Sequence, residues 1–266
     1  MNASFSPSSS KLTASVEGPV ATLAIDNPAK RNALDLAMWK ALPEAIGALD
    51  RDERVRVIIL RGAGKESFAS GADIAEFETV RANAEGGRAY EAINEAAFWA
   101  IAHCSKPVIA MIRGFCLGGG LGLALSCDLR IASETAIFGI PAARLGVGYP
   151  PGAMKLVTAA VGAPAAKDLF YTARRIGAEE AQRLGVVQRV VADDSLEDTI
   201  LALAHEIAQN APLTIRAAKA AIDASMGIGR PGADPVSLAD QCFDSMDAVE
   251  GRTAFLEKRK PVFKGR

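Results

Sequence analysis

Apolar residues fall into short runs separated by longer mixed stretches through the first two thirds of the chain. Val20 to Asp26, Val55 to Arg61, Pro107 to Arg113 and Leu129 to Ala132 have the length and composition of strands. Between them, Leu36 to Leu49 and a longer stretch from about Gly87 to His103 carry apolar side chains at helical spacing. Strands alternating with helices predict an α/β body with parallel pairing and right-handed crossovers. Beyond about Val191 the strand pattern stops. Leu196 to Gln209, Leu213 to Met226, Val236 to Val249 and Gly251 to Lys258 read as helices, and Gly227 to Pro235 as a loop. The expected organisation is a polar, serine-rich and disordered stretch over 1–11, a core over 12–195 and an all-helical region over 196–266.

Two glycine-rich segments interrupt this pattern. The run Gly118 to Gly120 precedes an apolar stretch with the composition of a buried helix, Leu121 to Leu125. Residues without Cβ let a small molecule approach the main chain closely, and a helix N-terminus presents unpaired N–H groups and the positive end of a dipole. The second segment, Ser67 to Ile74, follows the strand at Val55 and exposes main chain at Ala69, Ser70, Gly71 and Ala72, with Asp73 placed to cap a helix start. Alone, a glycine cluster reads as a tight turn or close helix packing. Paired, the two segments can supply one backbone N–H each to a single carbonyl oxygen, which is an oxyanion hole.

Composition narrows the partners. The chain has 266 residues and net charge −1, and no long basic or acidic block points to nucleic acid or an anionic membrane surface. Its four cysteines, Cys104, Cys116, Cys127 and Cys242, lack metal-type pairing and read as free thiols of a reducing compartment. No apolar window suits a signal peptide or membrane span, so a cytoplasmic protein is expected. The two histidines, His103 and His205, have no partner at metal-ligand or triad spacing, which argues against zinc and histidine-base chemistry. Gly62 to Lys65 lacks the remaining residues of a phosphate-binding loop. Gly146 to Gly152 fails as a dinucleotide fingerprint because two prolines occupy the helix start. No nucleophile elbow occurs.

With its glycine loops in this order, the chain resembles the crotonase superfamily, the enoyl-CoA hydratase/isomerase family, over nearly everything after Leu12. The anchors are Asp26 to Leu34, Phe68 to Ile74, Gly114 to Asp128, Thr172 to Val191 and Ala254 to Pro261. The resemblance implies a spiral of ββα turns with C-terminal helices that assemble a homotrimer or a homohexamer. It implies an acyl-CoA substrate and no further cofactor. The thioester oxygen would lie between the N–H groups of Ala72 and Gly119. The nucleotide would lie along Lys30, Arg31 and Ala33 and along Ala69, Ser70, Gly71, Asp73 and Ile74, with Phe255 and Lys258 near a phosphate.

The departure from the family pattern is as informative. Hydratases of the family carry two glutamates, which map here onto Gly122 and Ala142, and neither residue exchanges a proton. Asp128 and Glu134 lie further along and read as structural. The segment Ala143 to Tyr149, with Phe255 to Pro261, also resembles methylmalonyl-CoA decarboxylase, in which the residue matching Tyr149 contacts the substrate carboxylate. That enzyme has histidine at the position of Ala72 and glutamate at that of Gly122. Decarboxylation needs no activated water, because the hole stabilises the enolate left by departing carbon dioxide. Tyr149 reads equally as a packed aromatic, and Arg144 as a salt-bridge former. An acyl-CoA enzyme of undecided reaction, a decarboxylase or isomerase, and a catalytically silent acyl-CoA binder all remain open at this point.

Overall fold

The computed structural model describes residues 7–266. Of the stretch expected to be disordered, residues 1–6 lie outside the described residues. Residues 7–11 form a turn in which Ser9 is buried and Lys11 pairs with Asp35 at 2.6 Å.

Strands β1 (Leu12–Glu17) and β2 (Val20–Ile25) form an antiparallel hairpin turned at Gly18, whose φ of 56° suits glycine. From β2 the sheet continues in parallel through β3 (Val57–Gly62), β5 (Val108–Ile112), β7 (Leu129–Ser133) and β10 (Arg189–Val191). Strands buried on both faces read as unbroken apolar runs, and β3 shows why. Ile58 and Leu60 point to the cluster that includes Leu42 and Ile46 of α1 (Leu36–Arg51) and Ile101 of a later helix, while Val57 and Ile59 point to the opposite face. Helix α1 starts at Asp35, whose carboxylate accepts the Met38 N–H at 2.9 Å.

A second sheet of three-residue strands stands above the first: β4 (Ser67–Ala69), β6 (Phe115–Leu117), β8 (Ile137–Gly139) and β9 (Arg175–Gly177). Strands this short leave no periodic trace in a sequence. Around the two sheets lie α2 (Phe77–Val80), α3 (Ala84–Ala102), α4 (Gly119–Leu125), α5 (Ala142–Leu145), α6 (Pro151–Thr172) and α7 (Ala178–Arg183). The prolines that spoil a dinucleotide fingerprint start α6 instead, with Pro151 at its first position. Gly162, at φ 75°, interrupts α6 midway.

The C-terminal region differs from expectation in two ways. Helix α8 (Leu196–Ala208) belongs to the body: Leu196, Ile200, Ala204 and Ala208 cover the second face of the main sheet against Val20, Ile109 and Ile131. The helices that leave the body are α9 (Pro212–Ser225), α10 (Pro235–Phe243) and α11 (Met246–Leu256). The chain expected to be helical from Val236 to Val249 breaks at Asp244 and Ser245, because the Ser245 hydroxyl caps a new helix by accepting the Ala248 N–H at 3.1 Å. Gly251 therefore sits inside α11 instead of starting a helix. No helix among the described residues is long and apolar enough to cross a membrane.

Candidate active site

The loop after β2 is built around one buried side chain. Asn32 donates from Nδ2 to the carbonyls of Ala63 (3.0 Å) and Ser67 (2.7 Å), while its Oδ1 accepts the Asn27 N–H at 3.0 Å. Arg31 and Asn32 take left-handed backbone, with φ 52° and 55°, which asparagine tolerates better than most residues. This fixes the segment so that Leu34 donates to the Gly71 carbonyl and accepts from the Asp73 N–H, both at 2.8 Å. Gly71 and Asp73 are thus tied to one side, and Ala72 between them turns its N–H to the other. Lys30 Nζ meets the Asp73 carboxylate at 2.5 Å, and Ser70 Oγ donates to the Lys30 carbonyl at 3.2 Å. Lys30 holds the Asp73 carboxyl below its ordinary range.

Three glycines let α4 begin against this loop. Gly118 adopts φ 52°, ψ −122°, a conformation that leaves its N–H on the Gly139 carbonyl and starts the helix at Gly119. A Cβ on Gly120 would overlap the Ala69 carbonyl, and one on Gly71 would lie 2.9 Å from the Leu117 carbonyl oxygen and 3.2 Å from the Gly119 nitrogen. The two main chains touch because neither carries a side chain there. The Ala72 nitrogen lies 3.9 Å from the point where a Gly119 Cβ would stand. Neither the Ala72 nor the Gly119 N–H finds an acceptor among the described residues.

Both residues line a cavity of about 70 Å³, closed by Phe77, Phe98, Leu145, Val147 and Tyr149. Gly122 is half-buried and lines a small adjoining hollow with Phe98, Gly118 and Tyr149, and a Cβ there would come within 2.7 Å of Phe98 Cζ. The space that a side chain at residue 122 needs is filled by the Phe98 ring, itself packed edge-on against Trp39 at 5.8 Å. Ala142 lines the cavity from the first turn of α5. Tyr149 lines it too, edge-on to Phe170 at 5.0 Å, and burial pushes its hydroxyl up to about 12. Three polar residues that pattern reading missed share the cavity: Arg81, Glu91 and Asn94. Arg81 Nη2 donates to Glu91 Oε1 at 2.5 Å, and burial pushes the Glu91 carboxyl above its usual range while Arg81 pulls it down. Positions 91, 94 and 98 share one face of α3, a spacing legible in the sequence once a cavity is known to lie there.

Other expected residues fall elsewhere. Ala33 is nearly and Ala69 fully buried and neither lines the cavity, so Ala69, expected along the nucleotide, offers no surface to a ligand, while Ile74 is exposed and lines the cavity. Phe255 and Lys258 stand at the exposed end of α11, outside the cavity of their own chain. Arg144 is exposed and does not line it. Asp128 accepts the Val108 N–H and pairs with Lys219 at 2.7 Å, which is structural work. Cys104, Cys116 and Cys127 are buried free thiols, and Cys242 is half-buried. A larger hollow of about 510 Å³ lies between the body and α9, walled by Ile215, Ile222, Met226 and Ile228.

A spiral of parallel strands with backbone amides facing a cavity at the start of a buried helix is the crotonase fold, and comparison with known proteins agrees. The family described as Enoyl-CoA hydratase/isomerase matches residues 15–266. The chain belongs to that family. It is 39% identical to a short-chain-enoyl-CoA hydratase of Clostridium acetobutylicum over 246 residues, covering 92% of this chain and 94% of that one. It is 38% identical to a crotonyl-CoA hydratase of Syntrophomonas wolfei, covering 93% and 95%. Among solved structures, an enoyl-CoA hydratase/carnithine racemase from Magnetospirillum magneticum superposes with a TM-score of 0.90 at 38% identity, covering 98% and 97%.

Proposed function

We propose that the chain is an enzyme of acyl-CoA thioesters that holds the thioester oxygen between the amides of Ala72 and Gly119 and stabilises an enolate there. The observation that carries this reading is the pair of unpartnered N–H groups facing one cavity from two loops stripped of side chains. Such donors act without reorganising as charge develops on the oxygen. The hydratases of enoyl-CoA and crotonyl-CoA that the chain resembles support the substrate class. The CoA portion runs along Lys30 to Ala33 and Ser70 to Ile74, and Phe255 and Lys258 do not line the cavity of their own chain.

Simple hydration is disfavoured. Water addition needs a base and an acid, each contributing roughly 10²- to 10⁴-fold, and the family positions for them hold Gly122 and Ala142, with Phe98 filling the room beside the first. Decarboxylation is the second reading, favoured by Tyr149 in the cavity wall. Against it, Arg81, the cation lining the cavity among the described residues, is already engaged by Glu91, which would repel a substrate carboxylate.

The test is calorimetric titration with acetyl-, butyryl- and octanoyl-CoA. The native protein binds at least one of them and hydrates crotonyl-CoA very slowly. Gly119→Pro removes one donor and places a ring near Trp39. Acyl-CoA affinity unchanged in a folded Gly119→Pro protein refutes the assignment.

A further inference from the structure

The α4 and α5 positions carry no proton-transfer side chain, yet a largely shielded carboxylate from another element lines the cavity. We propose that Glu91, delivered from α3, is the proton-transfer group of this site and acts on the acyl α-carbon of a CoA thioester held by Ala72 and Gly119. The proposal rests on the acyl-CoA reading above and names the residue that would do its chemistry.

Three observations converge on Glu91. It lines the same cavity as the two amides, two turns along α3 from Phe98, on the same face. Phe98 is the ring that fills the space beside Gly122. One helix face therefore both closes the usual position and offers a carboxylate about 10 Å further along its axis. Second, the surrounding polar atoms are incompletely satisfied. Asn94, one turn from Glu91 and 4% exposed, has no partner for Oδ1 among the described residues, nor has the buried Nε of Arg81. A buried ion pair that serves only stability needs its remaining donors and lone pairs occupied. Here both residues line the cavity wall while these two atoms, shielded from solvent, have no protein partner. Third, the Arg81 guanidinium carbon lies 4.3 Å from the centre of the Phe77 ring and 4.4 Å from that of the Tyr90 ring, so the group that grips the carboxylate is held by both. Arg81 is thus a positioning residue. Burial and Arg81 act on the Glu91 carboxyl in opposite directions, burial prevailing, which moves it toward the range useful to a general base.

The step balances without another reactant. The Glu91 carboxylate takes a proton from the α-carbon. The C–H electron pair becomes the new carbon–carbon double bond of the enolate, and the thioester carbonyl pair moves onto oxygen between the Ala72 and Gly119 amides. The carboxylic acid then returns a proton to the α-carbon, or to the γ-carbon when the acyl group carries a β,γ double bond. The first outcome is exchange and the second is a double-bond shift.

The experiment follows deuterium entering the α-position of butyryl-CoA from heavy water by mass spectrometry, alongside calorimetric affinity for acetyl-, butyryl- and octanoyl-CoA. The native protein exchanges. Glu91→Gln keeps its affinity and fold while exchange falls about a hundredfold or more. Arg81→Gln removes the group that holds the Glu91 carboxyl down, so the midpoint of exchange rate against pD moves upward. The other ionisable groups facing Glu91 are Glu95 on α3, Tyr90 beside it and Tyr149 across the cavity, and all are unchanged in that variant. Exchange at the native rate in Glu91→Gln, or a native protein that binds but does not exchange, overturns the proposal and leaves acyl-CoA binding at the two amides standing. Failure to bind any of the three thioesters overturns both.

Discussion

Gly122 is the position at which a single substitution tests how this site departs from its family. A Cβ on residue 122 would lie 2.7 Å from Phe98 Cζ and 2.9 Å from Cε1, closer than carbon atoms approach. Phe98 cannot easily retreat, because it is buried and its ring abuts Trp39, which is itself fully buried. Gly122→Glu therefore forces overpacking, which costs about 1–3 kcal/mol. The gain from replacing a helical glycine, at most about 1 kcal/mol, offsets part of that. Phe98→Leu alone removes a few buried carbons and destabilises by an amount set by how well the site collapses. Combined, the two changes make room for each other. The double variant is then more stable than the sum of the singles predicts, by roughly 1–2 kcal/mol, within the range for residues in contact. Urea denaturation of the four proteins at one fixed protomer concentration measures this coupling, since any assembly would make stability concentration-dependent. Additivity within about 0.5 kcal/mol would refute the claim that Phe98 holds the space of the missing side chain.

The outer helices should bury themselves between copies of the chain. Phe243, Phe255 and Leu256 are 81%, 83% and 80% exposed, with Val236, Met246 and Val249 nearby in sequence, an apolar display that a lone protomer would not keep in water. Light scattering at micromolar concentration should report a trimer or hexamer, and a monomer would contradict this. The Lys30–Asp73 pair sets an acid limit on the loop that carries Ala72. Because Asp73 titrates lower folded than unfolded, the unfolded chain binds more protons as pH falls, so its stabilisation is full above the ordinary carboxylate range and fades below it. Asp73→Asn should flatten the acid limb of stability against pH, and an unchanged limb would show that the pair contributes nothing.

The sequence by itself determined the alternation of strands and helices, the two loops of small residues and the absence of side chains able to move protons at Gly122 and Ala142. These are local properties. A strand buried on both faces must be an apolar run, and a main chain that touches another must lack a Cβ, as at Gly71 and Gly120. Tertiary structure alone decided what no spacing encodes. The three-residue strands of the second sheet exist only because their neighbours pair with them. Helix α8 looks like its successors in pattern, yet it covers the main sheet, since Val57, Ile59 and Ile109 need an apolar cover on that face. Arg81, just after α2, and Glu91 and Asn94 of α3 read as ordinary polar residues until the fold brings them to one cavity. The same packing sets Phe98 beside Gly122, a contact across 24 positions of chain that decides where in this site a carboxylate can stand.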